Sequence, residues 1–216
     1  MTTLLKIVAA AALTCITSLS LAQTAANFPN RAIKILVPFA PGGSSDLLAR
    51  LVAQRMTATW GQPVIVENRP GAGGTIGSRV VATADPDGTT LMFTSASHAI
   101  NPTLYQSLPY DTLKDLRPVA LMGMSEHVLA THPGSGLKKL SDLKALSAAA
   151  ADKISYASFG NGTSAHLSGA ALAQQMGMNW VHVPYKGQAP ALSDLLGGQV
   201  TLMFGNWPEF RSHVQS

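Results

Sequence analysis

The sequence predicts an α/β fold with largely parallel sheets, arranged as two lobes. Three observations carry this. Beyond residue 30 the chain repeats one phrase: a β-branched run, a loop of small residues, then a segment of helical periodicity. The phrase breaks across Pro102 to Pro118 and then starts again. Apolar residues make up 46% and charged residues 12%, a balance that buries a core and excludes a disordered chain.

The first 22 residues read as a separate object. Lys6 gives a positive start, and Ile7 to Ile16 is an apolar run too short to span a bilayer comfortably. "SLA" at Ser20 to Ala22 supplies a small-x-small cleavage site, so a secretory signal cut after Ala22 is expected. Cys15 lies inside that segment, and the mature chain needs no disulfide to survive export. Cleavage removes Lys6 and no acid, lowering the formal net charge from +4 to +3. No basic stripe marks a nucleic-acid footprint. No later segment is apolar enough to span a membrane.

Residues 23–103 are expected to form the first lobe. Ile33 to Phe39 is strand-like. After "APGGSSD", Leu47, Leu48, Leu51, Val52 and Met56 share one face of a helix. Ser44 or Ser45 can cap it, Asp46 suits its positive end, and Gly61 can stop it. Val64 to Glu67 is a second strand, "RPGAGGTIG" enters a helix near Ser78, and Thr89 to Thr94 is a third strand. "SASHA" then opens a helix before Pro102.

Residues 104–216 are expected to form the second lobe and the start of a crossover back to the first. Val119 to Met122 and His127 to Thr131 read as strands joined by a short turn. A helix follows from about Ser141 to Ala150. Two strand–loop–helix units come next, "KISYAS" with "FGNGTS" and "WVHVPY" with "KGQAP". Val200 to Phe204 is a last strand.

Four strand-to-helix junctions concentrate Gly, Ser, Thr and Asn: Ala40 to Asp46, Ser95 to Asn101, Gly160 to Ser164 and Lys186 to Gln188. In open α/β sheets, ligands bind beyond the carboxyl ends of strands, where helix N-termini offer N–H groups to an anion. Rival motifs fail. "GAGGTIG" has Ile76 where a dinucleotide fingerprint needs glycine. "GGSSD" and "GTSAH" lack the closing glycine of a hydrolase elbow. A hydrolase using Ser44 or Ser164 as nucleophile would lack an evident base and orienting partner. The histidines show no metal-ligand spacing. His98 and His166 lie where an imidazole can either donate to a ligand or cap a helix.

Taken together, "FPNRAIKILVPFAPGGSSDLLARLVA", "VENRPGAGGTIGS", "PDGTTLMFTSASHAINPTLY", "ISYASFGNGTSAHLSGA" and "VPYKGQAPALSDLLGGQV" resemble the Bug, or TctC-like, family. These are periplasmic solute-binding receptors of tripartite tricarboxylate transporters. The resemblance implies a two-lobed Venus-flytrap (type II-like) periplasmic binding fold and a small carboxylate held between the lobes. It implies no cofactor, no metal and no catalysis. The first-lobe contacts would be Phe39, Ala40, Pro41, Gly42, Gly43, Ser44 and Ser45, with Ser95, Ala96, Ser97 and His98. The second-lobe contacts would be Ser158, Gly160, Asn161, Gly162, Thr163 and Ser164, with Tyr185, Lys186 and Gly187. The partners implied are the membrane subunits of the transporter; a sensor kinase partner would turn the same fold to signalling. Two departures stand out. Gly205 occupies a place where many relatives carry aspartate. Family members also continue past the last strand to complete the first lobe, so the resemblance implies a C-terminally truncated chain with that lobe incomplete.

Overall fold

The computed structural model describes residues 28–150 and 154–214. The expected signal segment, 1–22, lies outside the described residues. Two sheets form, one on each side of the proline-bounded break.

The first sheet contains β1 (Ile33–Val37), β2 (Val64–Asn68) and β3 (Thr90–Met92), in the order β2-β1-β3. Both pairings are parallel, with Ile35 opposite Val66 and Leu91. The central position of β1 explains its sequence. A strand covered on both faces reads as a nearly continuous apolar run, and Ile35, Leu36 and Val37 are all buried. Helix α1 (Ser44–Trp60) follows β1, and α2 (Thr75–Ala82) and α3 (Ser97–Leu104) follow β2 and β3. Gly61 ends α1 in the left-handed region at φ 67°, its N–H donating to the Thr57 carbonyl as expected.

The face that α1 buries differs from the expected one. Ala49 and Ala53 pack with Ile35, Val37 and Phe39, while Leu47, Leu48 and Leu51 are exposed. Val52 and Met56 flank that core as expected. Small residues let the helix lie close to the strands, and the buried Asp46 anchors the same face. Hydropathy alone does not encode either constraint. The N-cap is also different: Gly43 holds that position, and no side chain caps from it.

The second sheet contains β4 (His127–Thr131), β5 (Ser155–Ser158), β6 (Val181–Pro184) and β7 (Leu202–Asn206), in the order β4-β7-β5-β6. β5 pairs in parallel with β6 and β7; β4 closes the edge antiparallel to β7. Helices α4 (Leu140–Ala150), α5 (Ser164–Gln175), α6 (Gln188–Leu196) and α7 (Trp207–Val214) cover it. Leu143, Ile154, Tyr156, Trp180 and Leu202 build one core; Ala157, Ala191, Leu195, Met203 and Phe210 build another. The strand expected at Val119 to Met122 does not form. Residues 117–126 carry no regular structure, and Val119 is 85% exposed, because the segment links the sheets without a strand to pair with.

Candidate functional site

Asp46 organises the junction after β1. Its carboxylate accepts from the Gly42 N–H at 3.0 Å, from Arg50 Nε at 3.0 Å and from Asn68 Nδ2 at 2.9 Å. Asn68 also donates to the Phe39 carbonyl at 3.1 Å, tying the end of β2 to the loop. Burial pushes the Asp46 carboxyl up, but Arg50, Gly42 and Asn68 together outweigh it and hold the group below its ordinary value. The loop from Ala40 to Ser45 is therefore fixed from beneath by an ionised side chain.

Across the cleft the two halves meet backbone to backbone. The Ala40 N–H donates to the Lys186 carbonyl at 2.9 Å. A Cβ on Gly187 would stand 2.8 Å from the Ala40 Cβ, and one on Gly73 would stand 2.0 Å from the Asn161 carbonyl oxygen. Only glycine fits at either place. Gly73 also has φ 61°, which favours glycine for a second reason.

Two cavities lie along this seam. The larger, of about 190 Å³, is walled by Pro38, Phe39, Gly71 to Gly74, Phe159 to Asn161 and Pro184 to Lys186. The smaller, of about 50 Å³, is walled by Phe39, Ala40, Gly43 to Asp46, Ser95, Phe159, Ser164, Gln188 and Asn206. Both sit past the carboxyl ends of parallel strands, as the junction argument expects. Of the expected residues, Phe39, Gly160, Asn161, Tyr185 and Lys186 reach the first cavity. Phe39, Ala40, Gly43, Ser44, Ser45, Ser95 and Ser164 reach the second.

Pro41, Gly42, Ala96, Ser97, His98, Ser158, Gly162, Thr163 and Gly187 line neither cavity. Several have structural work instead. Thr163 caps α5, accepting from the His166 N–H and donating to the Gly160 carbonyl at 2.7 Å. A Cβ on Gly162 would come within 2.8 Å of Asn101 Oδ1. His98 is half-buried, and that burial holds its pKa down. Tyr185 reaches the cavity, but its hydroxyl is committed to Asp194 at 2.6 Å. Burial, then Asp194, push it up to about 12.

Ser158 forms a close pair with His182, Oγ to Nε2 at 2.7 Å. This has the look of a nucleophile and base, yet Ser158 is fully buried. His182 stacks between Tyr156 and His166, with ring centroids 4.9 and 4.2 Å away. Among the described residues, aromatic faces and not a carboxylate flank the imidazole, so the pair lacks the orienting partner of a catalytic triad there.

The sequence reading missed two groups. One is the Gly71 to Gly74 wall, whose signal was three glycines in four residues directly after a strand. The other comes from the end of β7 and from α7. Asn206 Nδ2 donates to Ser44 Oγ at 2.7 Å and to Gln188 Oε1 at 3.1 Å. Glu209 accepts a hydrogen bond from the Ser44 N–H at the start of α1. Burial pushes the Glu209 carboxyl up, against the pull of the Ser44 and Asn206 hydrogen bonds. Gly205 also has a steric reason: a Cβ there would meet the Phe210 ring at 2.5 Å and Gln188 Nε2 at 2.9 Å.

Residues 48–216 match the model of the tripartite tricarboxylate transporter family receptor, TctC. The chain belongs to this family. BugT of Bordetella pertussis is 40% identical over 195 residues, 89% of this chain and 60% of BugT. An R. palustris protein solved with adipate is 32% identical with a TM-score of 0.82, over 87% of this chain and 63% of that one. MatC of Rhodopseudomonas palustris, solved with malate, is 35% identical with a TM-score of 0.75, over 83% of this chain and 61% of that one. The chain thus spans about three fifths of the length of these TctC-family relatives. Its architecture is their two-lobed periplasmic binding fold.

Proposed function

We propose that this TctC-family chain is an extracytoplasmic receptor, exported to the periplasm, that captures a small carboxylate between its lobes. The first lobe corresponds to residues 23–103 and the second to residues 104–216. The observation that carries the reading is the pair of cavities at the seam, walled by the starts of α1, α5 and α6 and by the glycine turn after β2. Neutral backbone donors and hydroxyls suit an anion that must be held and then released. The relatives solved with adipate and malate support the same ligand class. Ser44, Ser45, Ser95, Ser164, Gly160 and Asn161 are the contacts we assign to the ligand. Membrane subunits of a tripartite tricarboxylate transporter are the partners the family supports, reading the closed lobes as the signal.

The test is calorimetric titration of adipate and of malate into the protein and its Gly43→Val variant. A Cβ on Gly43 would stand 3.5 Å from the Gln188 Cβ and 3.9 Å from Glu209 Oε1, both ordinary contacts, and Gly43 lines the smaller cavity, so valine crowds that cavity without a severe backbone clash. Saturable binding by the parent chain and at least a tenfold loss in the variant are expected. Absence of binding by the parent chain to either diacid would overturn the reading.

A further inference from the structure

The start of α1 already holds a carboxylate, and it comes from the chain itself. Glu209, on α7, places Oε1 on the Ser44 N–H. That amide belongs to the first residue of a 17-residue helix, where N–H groups lack helical partners and the dipole end is positive. The contact joins residues 165 apart and crosses from the second sheet's layer to the first. Asn206 braces it by donating to Ser44 Oγ. The contact stands at the cavity: Ser44 and Asn206 both line it, and a Cβ on Gly43 would lie 3.9 Å from Glu209 Oε1.

Building on the carboxylate reading above, we propose that Glu209 is an internal competitor for ligand. Its side chain occupies the anion position at the start of α1 and holds the lobes together until an external carboxylate displaces it. Charge-assisted hydrogen bonds from backbone N–H groups are the strong ones at such a site, so the exchange is between like interactions. An external acid has one further donor to gain. Gln188 is 5% exposed, lines the same cavity, and keeps Nε2 buried with no hydrogen-bond partner among the described residues. Burial disfavours the ionised form of Glu209, and this weakens its hold on the position. A resident group that is easy to displace lowers apparent affinity by the fraction of time it occupies the site.

The experiment titrates adipate and malate into the parent chain, E209Q and E209A, and follows exchange of the Ser44 amide proton without ligand. E209A empties the position and is expected to bind about tenfold more tightly. E209Q retains an acceptor without its charge and should fall between the two. The Ser44 amide should exchange faster in E209A. Binding by the parent chain with equal or weaker affinity in E209A overturns the proposal, as does an unchanged Ser44 exchange rate. Failure of the parent chain to bind either adipate or malate removes the carboxylate reading, and this inference with it.

Discussion

Gly73→Ala is the sharpest probe of the seam. The added Cβ would lie 2.0 Å from the Asn161 carbonyl oxygen, a backbone atom that no rotamer change can move. Ordinary contact begins near 3.4 Å, so the two halves must part by about 1.4 Å at this point. Alanine also pays for φ 61°, roughly 1 kcal/mol. Overpacking of this kind costs the closed form about 1–3 kcal/mol more, weakening adipate binding about 5- to 160-fold. Gly61→Ala separates the two costs. It has φ 67° but no described atom within 4 Å of its Cβ, so it carries the backbone strain without the clash. Calorimetry should show a large affinity loss for Gly73→Ala and little for Gly61→Ala, while both lower urea stability by a similar small amount. Equal adipate affinities in the two variants would refute the argument that this glycine permits closure.

Asp46→Asn should cost about 2–4 kcal/mol in urea unfolding at pH 7, because it unbalances a buried group shared by Arg50, Asn68 and Gly42. The folded carboxyl is held below its ordinary value of 3.8, so its contribution is full above that pH and is lost as pH falls through the folded value. The gap between parent and variant should therefore close in acid. His182 gives a second pH dependence. Burial and then the neighbouring His166 lower it from 6.5 to about 4, so the unfolded chain binds more protons between those limits. Stability is full above pH 6.5 and falls toward pH 4 by about 1–2 kcal/mol, after allowing for the ring's partial exposure. His182→Gln, which does not titrate, should make that slope shallower; an unchanged slope in urea melts from pH 7 to 4.5 would contradict the assignment.

The local elements were largely legible because each rests on short-range chemistry. β1 was readable from its apolar run, the end of α1 from Gly61, and several cavity-lining loops from small residues between strand and helix. Val119 to Met122 shows the limit of such reasoning. Its β propensity was real, but a strand needs a neighbour, and the topology supplies none there. The expected contacts divided for a similar reason. Ser44, Ser45 and Ser164 reach a cavity, while Thr163 and Ser158 spend their hydroxyls inside the fold. Residue type permits either use, and the neighbours decide.

By itself the sequence determined the order of elements, apart from the strand expected at Val119 to Met122, together with the family resemblance and the small-residue loops that line the cavities. The tertiary structure decided three things that no local pattern contains. It chose Ala49 and Ala53 over Leu47 and Leu51 for the core face of α1, because close approach and the Asp46 network set the helix rotation. It brought Gly73 against Asn161, making a turn into part of the seam. It also set Glu209 on the Ser44 amide, so a donor that looked free in sequence is shared with a residue far along the chain. Each depends on which surfaces meet after folding, and hydrogen-bond satisfaction is settled only among groups that the fold brings within reach.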